Sequence, residues 1–372
     1  MKKLFLFLML AVIAVAVFVS CGETATTADT TTDAPDITTT VDTTTTTEVG
    51  ELEYYPTFDN TGYSVIGMGT YTGENVVIPA TYNGLPVVEI GNYAFLECTT
   101  IKSVVIPDGV TSIGEKAFML CENLKSVTIS DSVTAIGPMA FSTCPNLESI
   151  ALPKSLTEIK EATFKDCENL ESVAFNDALT VIGKEAFNGC FSLAEIALGA
   201  NVFNIEYDAF RGCDALYTIT VAEGNAKYTA KENCLILKDS KTLVMGCSGS
   251  IIPADGSVTA IGDDAFWECV GLTEISIPST VTVIGSGAFF RCINLEVVTI
   301  GANVTEIGMC AFDSCSALTD IVIPKSVTTI GFAAFAGVGA GLINCEAESQ
   351  PAEWDETWNM DGIAVNWGYT AE

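Results

Sequence analysis

Residues 113–136 read Ile113-Gly114-Glu115-Lys116-Ala117-Phe118-Met119-Leu120-Cys121-Glu122-Asn123-Leu124-Lys125-Ser126-Val127-Thr128-Ile129-Ser130-Asp131-Ser132-Val133-Thr134-Ala135-Ile136, and Ile136-Gly137 begins the same sentence again. Its Phe recurs at a constant 23-residue spacing at Phe95, Phe118, Phe141, Phe164, Phe187 and Phe210, and again at Phe266, Phe289, Phe312 and Phe335. A fixed period of this length, built on Leu, Val and Ile, marks a solenoid. Each repeat is one coil that cannot bury its own apolar face and must stack on its neighbours.

Within one period the apolar spacing changes. Val127-Thr128-Ile129 alternates with period two, which predicts a half-buried strand, whereas Phe118, Cys121 and Leu124 fall at i, i+3 and i+6, which predicts a short helical or 3-10 turn. The fold class expected is therefore a repeat solenoid, with a parallel β-sheet on one side and short helical turns on the other. About ten or eleven coils are expected. Pro107, Pro153, Pro278 and Pro324 would close the strands, since proline has no N–H for the ladder. Gly114, Gly137, Gly183, Gly262, Gly285, Gly308 and Gly331 would sit at a corner needing an unusual φ.

The N-terminus reads as a targeting segment. Lys2 and Lys3 precede an apolar run from Leu4 to Val19, shorter than the roughly 20 residues of a spanning helix, so 1–20 reads as a signal peptide. Phe18-Val19-Ser20-Cys21-Gly22 resembles a bacterial lipobox, with Phe18 where Leu is usual, and the resemblance implies that Cys21 carries a lipid. From there to residue 51 the chain is mostly Thr, Asp and Ala, with Thr43 to Thr47 in a row. Such a stretch offers too little apolar surface to offset its ordering entropy, and is expected to be a disordered tether. The remaining 52–372 forms the repeat domain, with a β-rich N-terminal cap over 52–91 and a C-terminal cap over 342–372 that holds Trp354, Trp358 and Trp367.

Between Phe210 and Phe266 the interval is more than twice the repeat, so an insertion is expected over 222–250, read as a hairpin from Leu235-Ile236-Leu237 and Leu243-Val244-Met245. Lys227, Lys231, Lys238 and Lys241 are four of only 16 basic residues and surround Tyr228. These five side chains are the candidate partner-binding residues; the alternative is that the lysines only blunt an exposed strand edge.

Charge and composition exclude several classes. The chain carries 47 acidic residues, no His and a formal charge of −31, which argues against nucleic acid as a partner and leaves the lipid as the only link to a membrane. Without His there is no His-based triad and no His-ligated zinc. The acids fall in variable turns, and no calcium-loop or phosphate-loop motif occurs. No enzyme activity, metal or other cofactor is expected. Nine of the 14 cysteines, from Cys98 to Cys315, keep the register of the repeat. Stacked at strand spacing, their parallel Cβ vectors do not suit a disulfide, so buried thiols are expected.

The unit Ile-Gly-x-x-Ala-Phe-x-x-Cys-x-x-Leu-x-x-Val-x-Ile-Pro resembles the BspA-type leucine-rich repeats of bacterial surface proteins, over roughly Tyr63 to Tyr369. Lys160 and Glu206 replace its Gly and Thr163 its Ala. The resemblance implies a cell-surface binding module for adhesion, or for interaction with proteins of a host or of neighbouring cells. It supplies no catalytic residue and no fixed binding motif. A passive structural lipoprotein of the envelope, without a specific ligand, is the alternative.

Overall fold

A computed structural model describes residues 50–370. The signal peptide, Cys21 and the tether fall outside them, save Gly50 and Glu51, and Glu51 is already hydrogen-bonded to Thr70. Among the described residues no helix is long and apolar enough to cross a membrane.

Each coil contributes two strands and a stack of turns. Ser103–Ile106 pairs in parallel with Ser126–Ile129, Val104 facing Val127. A second, shorter ladder joins Ser112–Ile113 to Ala135–Ile136. On the third side the turns form a ladder of their own: the amides of Lys116, Phe118 and Leu120 donate to the carbonyls of Pro138, Ala140 and Ser142 at 3.0, 2.8 and 3.0 Å. A register locked to the repeat buries Val127 and Ile136 in the core and leaves Thr128 to solvent.

Two expectations about these turns need correction. The i, i+3, i+6 run is not helical: among the described residues no helix forms, and each coil sets two turn residues in the left-handed region. Lys116 and Leu120, at φ 54° and 62°, interrupt the right-handed run a helix requires. The recurring glycines have a different reason from the one expected. None of the seven has a positive φ; a Cβ on any of them would lie 2.5–3.0 Å from an atom of the preceding coil's backbone. Stacking distance, not dihedral freedom, excludes a side chain there.

The core is two columns. Phenylalanine rings stack face to face at 5.0–5.6 Å, within 3–11° of parallel, from Phe95 to Phe210 and from Phe266 to Phe335. Beside them runs the cysteine column, in which Cys144 Sγ donates to the Phe118 carbonyl at 3.1 Å and Cys167 Sγ to that of Phe141 at 3.1 Å. A small side chain with a weak donor satisfies that geometry. The described cysteines are free.

The stack runs to about 13 turns, more than the phenylalanines mark, because the ends coil without them. Tyr63–Gly67 pairs in parallel with Leu85–Ile90, and Asn75–Val77 with Ser103–Ile106. At the other end Leu342–Cys345 and Ala364–Trp367 add two parallel strands. Trp358 ends the ring column edge-on to Phe335 at 5.9 Å, and its carbonyl accepts the Phe335 amide.

Candidate functional site: a cavity where a turn is missing

The regular coil runs from Ile136 to Leu147 through Gly137, the Ala140-Phe141 turn and Cys144. After Thr218–Val221, which still pairs in parallel with Glu195–Leu198, the chain leaves this path. Tyr228–Lys231, Cys234–Leu237 and Thr242–Met245 form an antiparallel meander, and Thr242–Met245 then rejoins the shorter ladder through a parallel pairing with Ala260–Ile261. From Leu243 the chain passes through only Val244, Met245 and Gly246 before Cys247, with Cys247, Ser250 and Ile252-Pro253 in the places of Leu, Val and Ile-Pro. The whole Ala-Phe turn of that coil is absent.

Its place is a cavity of about 600 Å³. Phe210, Tyr228, Leu235, Leu237, Val244 and Met245 supply apolar lining, and acidic side chains, Asp208, Asp214, Asp263 and Asp264 among them, stand along the coils on either side. The two walls are the cut faces of the turn ladder. On one, the amides of Asp208, Phe210 and Gly212 have no hydrogen-bond partner among the described residues, although the equivalent Phe187 amide donates to Ala209 at 2.8 Å. On the other, the carbonyls of Asp263 and Trp267 accept nothing from the described residues, while that of Ala265 takes the Gly246 amide at 2.8 Å. Phe210 stacks on Phe187 at 5.3 Å and has no ring stacked on its other face among the described residues.

One ion-pair cluster crosses the break. The chain has two arginines, and both converge on Glu268: Arg211 Nε donates to Oε2 at 3.0 Å and an Arg291 guanidinium N–H to Oε1 at 2.9 Å. Arg211 also reaches Asp208 at 3.5 Å and lies 4.7 Å from the centre of the Trp267 ring. Burial pushes the Glu268 carboxyl up, but the hydrogen bonds and charge of the arginines more than offset it, so Glu268 is held below the ordinary carboxylate range. Burial pushes Asp208, Asp214 and Asp264 up. Carboxylates that have lost water at a cavity rim favour a cation arriving there.

The five residues expected to bind a partner do not form one group. Lys227 and Tyr228 line the cavity, the Lys227 ammonium 5.1 Å from the Tyr228 ring centre. Tyr228 is 4% exposed, so its ring is part of the lining rather than a projecting anchor. Lys231 is paired with Asp255, and Lys238 donates to the Asn225 carbonyl. Lys241 is exposed at the hairpin turn, with φ 55°. Sequence reasoning missed Arg211, Glu268 and Trp267. The short path from Leu243 to Cys247, and the placing of the only two arginines around the break, were the signals available. Among the described residues no group of three or more Cys, Asp or Glu side chains could hold a metal ion.

Parallel coils of a constant length, with two strand ladders and a ring column, define a leucine-rich repeat solenoid. The chain belongs to the BspA-type leucine-rich repeat family, whose repeat pattern matches six copies over 88–217 and 241–351, more than half of the 372 residues. The unmatched 218–240 is the start of the insertion. A leucine-rich cell surface protein of Faecalibacterium prausnitzii is 27% identical, with a TM-score of 0.60 over 87% of this chain and 97% of its own. A leucine-rich repeat protein of Bacteroides ovatus is 25% identical, with a TM-score of 0.51 over 86% and 98%. The pneumococcal vaccine antigen PcpA, 21% identical with a TM-score of 0.68 over 87% and 89%, shares the fold. No curated protein matches.

Proposed function

We propose that this chain is a protein-binding module of a bacterial cell surface, held to the membrane by a lipid on Cys21, and that it binds rather than catalyses. The cell-surface description of the Faecalibacterium relative supports the location. The observation that carries the binding reading is the break itself. The periodic strand face presents small residues, Ser126, Thr128, Ser149 and Ala151 among them, which give area without the aromatic or Arg anchors that dominate interfaces. The break supplies Arg211, Trp267, Lys227 and an apolar cavity in one place. Many copies on one cell would add avidity to a modest single-site affinity.

The test compares the full chain with one lacking 226–245, and with a Lys227→Glu/Lys241→Glu variant that spares the meander, for binding to immobilised extracellular-matrix proteins. Thermal unfolding checks that both variants are folded. Weaker binding by both variants supports the break as the contact. Equal binding by all three would return the site to the strand face, and no binding by any would favour a passive envelope protein.

A further inference from the structure

The cavity beside the meander has the shape of something specific. Elsewhere in the stack the same position holds a run such as Glu115-Lys116-Ala117-Phe118-Met119-Leu120, whose alternate amides and carbonyls bond the coils before and after it. Where that run is missing, the coil before presents three amides at alternate residues, Asp208, Phe210 and Gly212, with no partner among the described residues. The coil after presents the carbonyls of Asp263 and Trp267. These donors face the cavity with no partner among the described residues, so the free wall favours an acceptor at that same spacing. A polypeptide backbone has it, as strands added to open sheet edges do.

We propose that the cavity captures a peptide segment of a partner protein, which replaces the missing turn. Its carbonyls accept from the Asp208, Phe210 and Gly212 amides, and its amides donate to the Asp263 and Trp267 carbonyls. An apolar side chain, best an aromatic one, enters between Phe210, Leu237 and Met245. A neighbouring lysine or arginine meets Asp208, Asp263 and Asp264, whose rim is acidic in a chain of net charge −31. A volume of about 600 Å³ is within the range of roughly 300–1,000 Å³ usual for ligand sites. This assignment rests on the reading of the chain as a protein-binding module and names the chemistry of what it binds.

The probe is the acetylated, amidated heptapeptide with the sequence of residues 114–120, tested on the full chain by amide hydrogen exchange read over 206–214. The peptide is expected to slow exchange in that segment at least tenfold at millimolar concentration, and the same peptide with Asp in place of Phe118 to slow it less than twofold. A second chain carries the sequence of residues 115–121 inserted between Val244 and Met245, which restores the turn from within. There 206–214 is expected to be protected without peptide and to gain nothing from it. No protection of the unmodified chain, or equal protection by both peptides, overturns the proposal. These outcomes are separate from binding to extracellular-matrix proteins: a chain that binds those proteins but not the heptapeptide keeps its module function and loses this assignment.

Discussion

Phe187 and Phe210 stack at 5.3 Å with their planes 5° apart, and beyond Phe210 the ring column stops until Phe266 begins it again. The cavity lies at that interruption. On either side the coils couple only to their neighbours, so a local defect divides the array without unravelling it.

Phe187→Ala removes a fully buried ring from the middle of the first column. Such truncations cost about 3–5 kcal/mol. Urea unfolding followed by far-UV circular dichroism should shift to a lower midpoint, or split into two transitions as the segments uncouple. An unchanged curve would mean that the column contributes little.

The thiols predict an alkaline limit. Burial pushes Cys315 from its ordinary value of 9.0 up to about 12, and Cys269 likewise. Below pH 9 both states keep their protons and the contribution is complete. Between 9 and 12 the unfolded chain ionises while the folded chain does not, so stability falls by up to about 1.4 kcal/mol per pH unit for each such thiol. Urea midpoints at pH 8 and pH 10.5 measure the fall. Cys315→Ser keeps a donor for the Phe289 carbonyl, removes one titration, and should flatten the slope.

Two positions of the same coil, one set by its dihedral and one by a contact, predict opposite signs. Thr143, a β-branched residue at φ 56°, is strained, and Thr143→Gly should raise stability by about 1 kcal/mol. Gly137→Ala should lower it by more, because the new Cβ would lie 2.5 Å from the Glu115 amide nitrogen of the preceding coil. Melting temperatures of the two variants decide whether dihedral or contact governs each site.

Glu268→Gln keeps the shape of the side chain that both arginines hold and removes its charge. Part-buried, charge-assisted pairs of this kind contribute more than exposed ones, and a loss of roughly 1–2 kcal/mol is expected. The Trp267 emission should shift as Arg211 moves off its ring. Retention of both stability and emission would show that the cluster is incidental.

Much of the fold was legible because the period is strict. Ten phenylalanines in constant register fix the stack, the ring column and the thiol column. The turns were not legible. Lys116, Leu120 and Met139 are ordinary helix formers, and what sets them left-handed is the amide ladder to the next coil, a contact remote in sequence. The glycines misled for the same reason, since the atoms that exclude a Cβ at Gly137 belong to the preceding coil. The insertion was visible as the widened interval from Phe210 to Phe266, but the cavity was not, because it arises from what the short path between Leu243 and Cys247 omits.

The turn ladder is cut open after Phe210, and amide hydrogen exchange in the free protein tests this most directly. The Phe187 amide, bonded to Ala209 at 2.8 Å, should exchange at least tenfold more slowly than the Phe210 amide one coil further on. Equal protection at the two positions would mean that the ladder is closed there and that the cavity does not exist in solution.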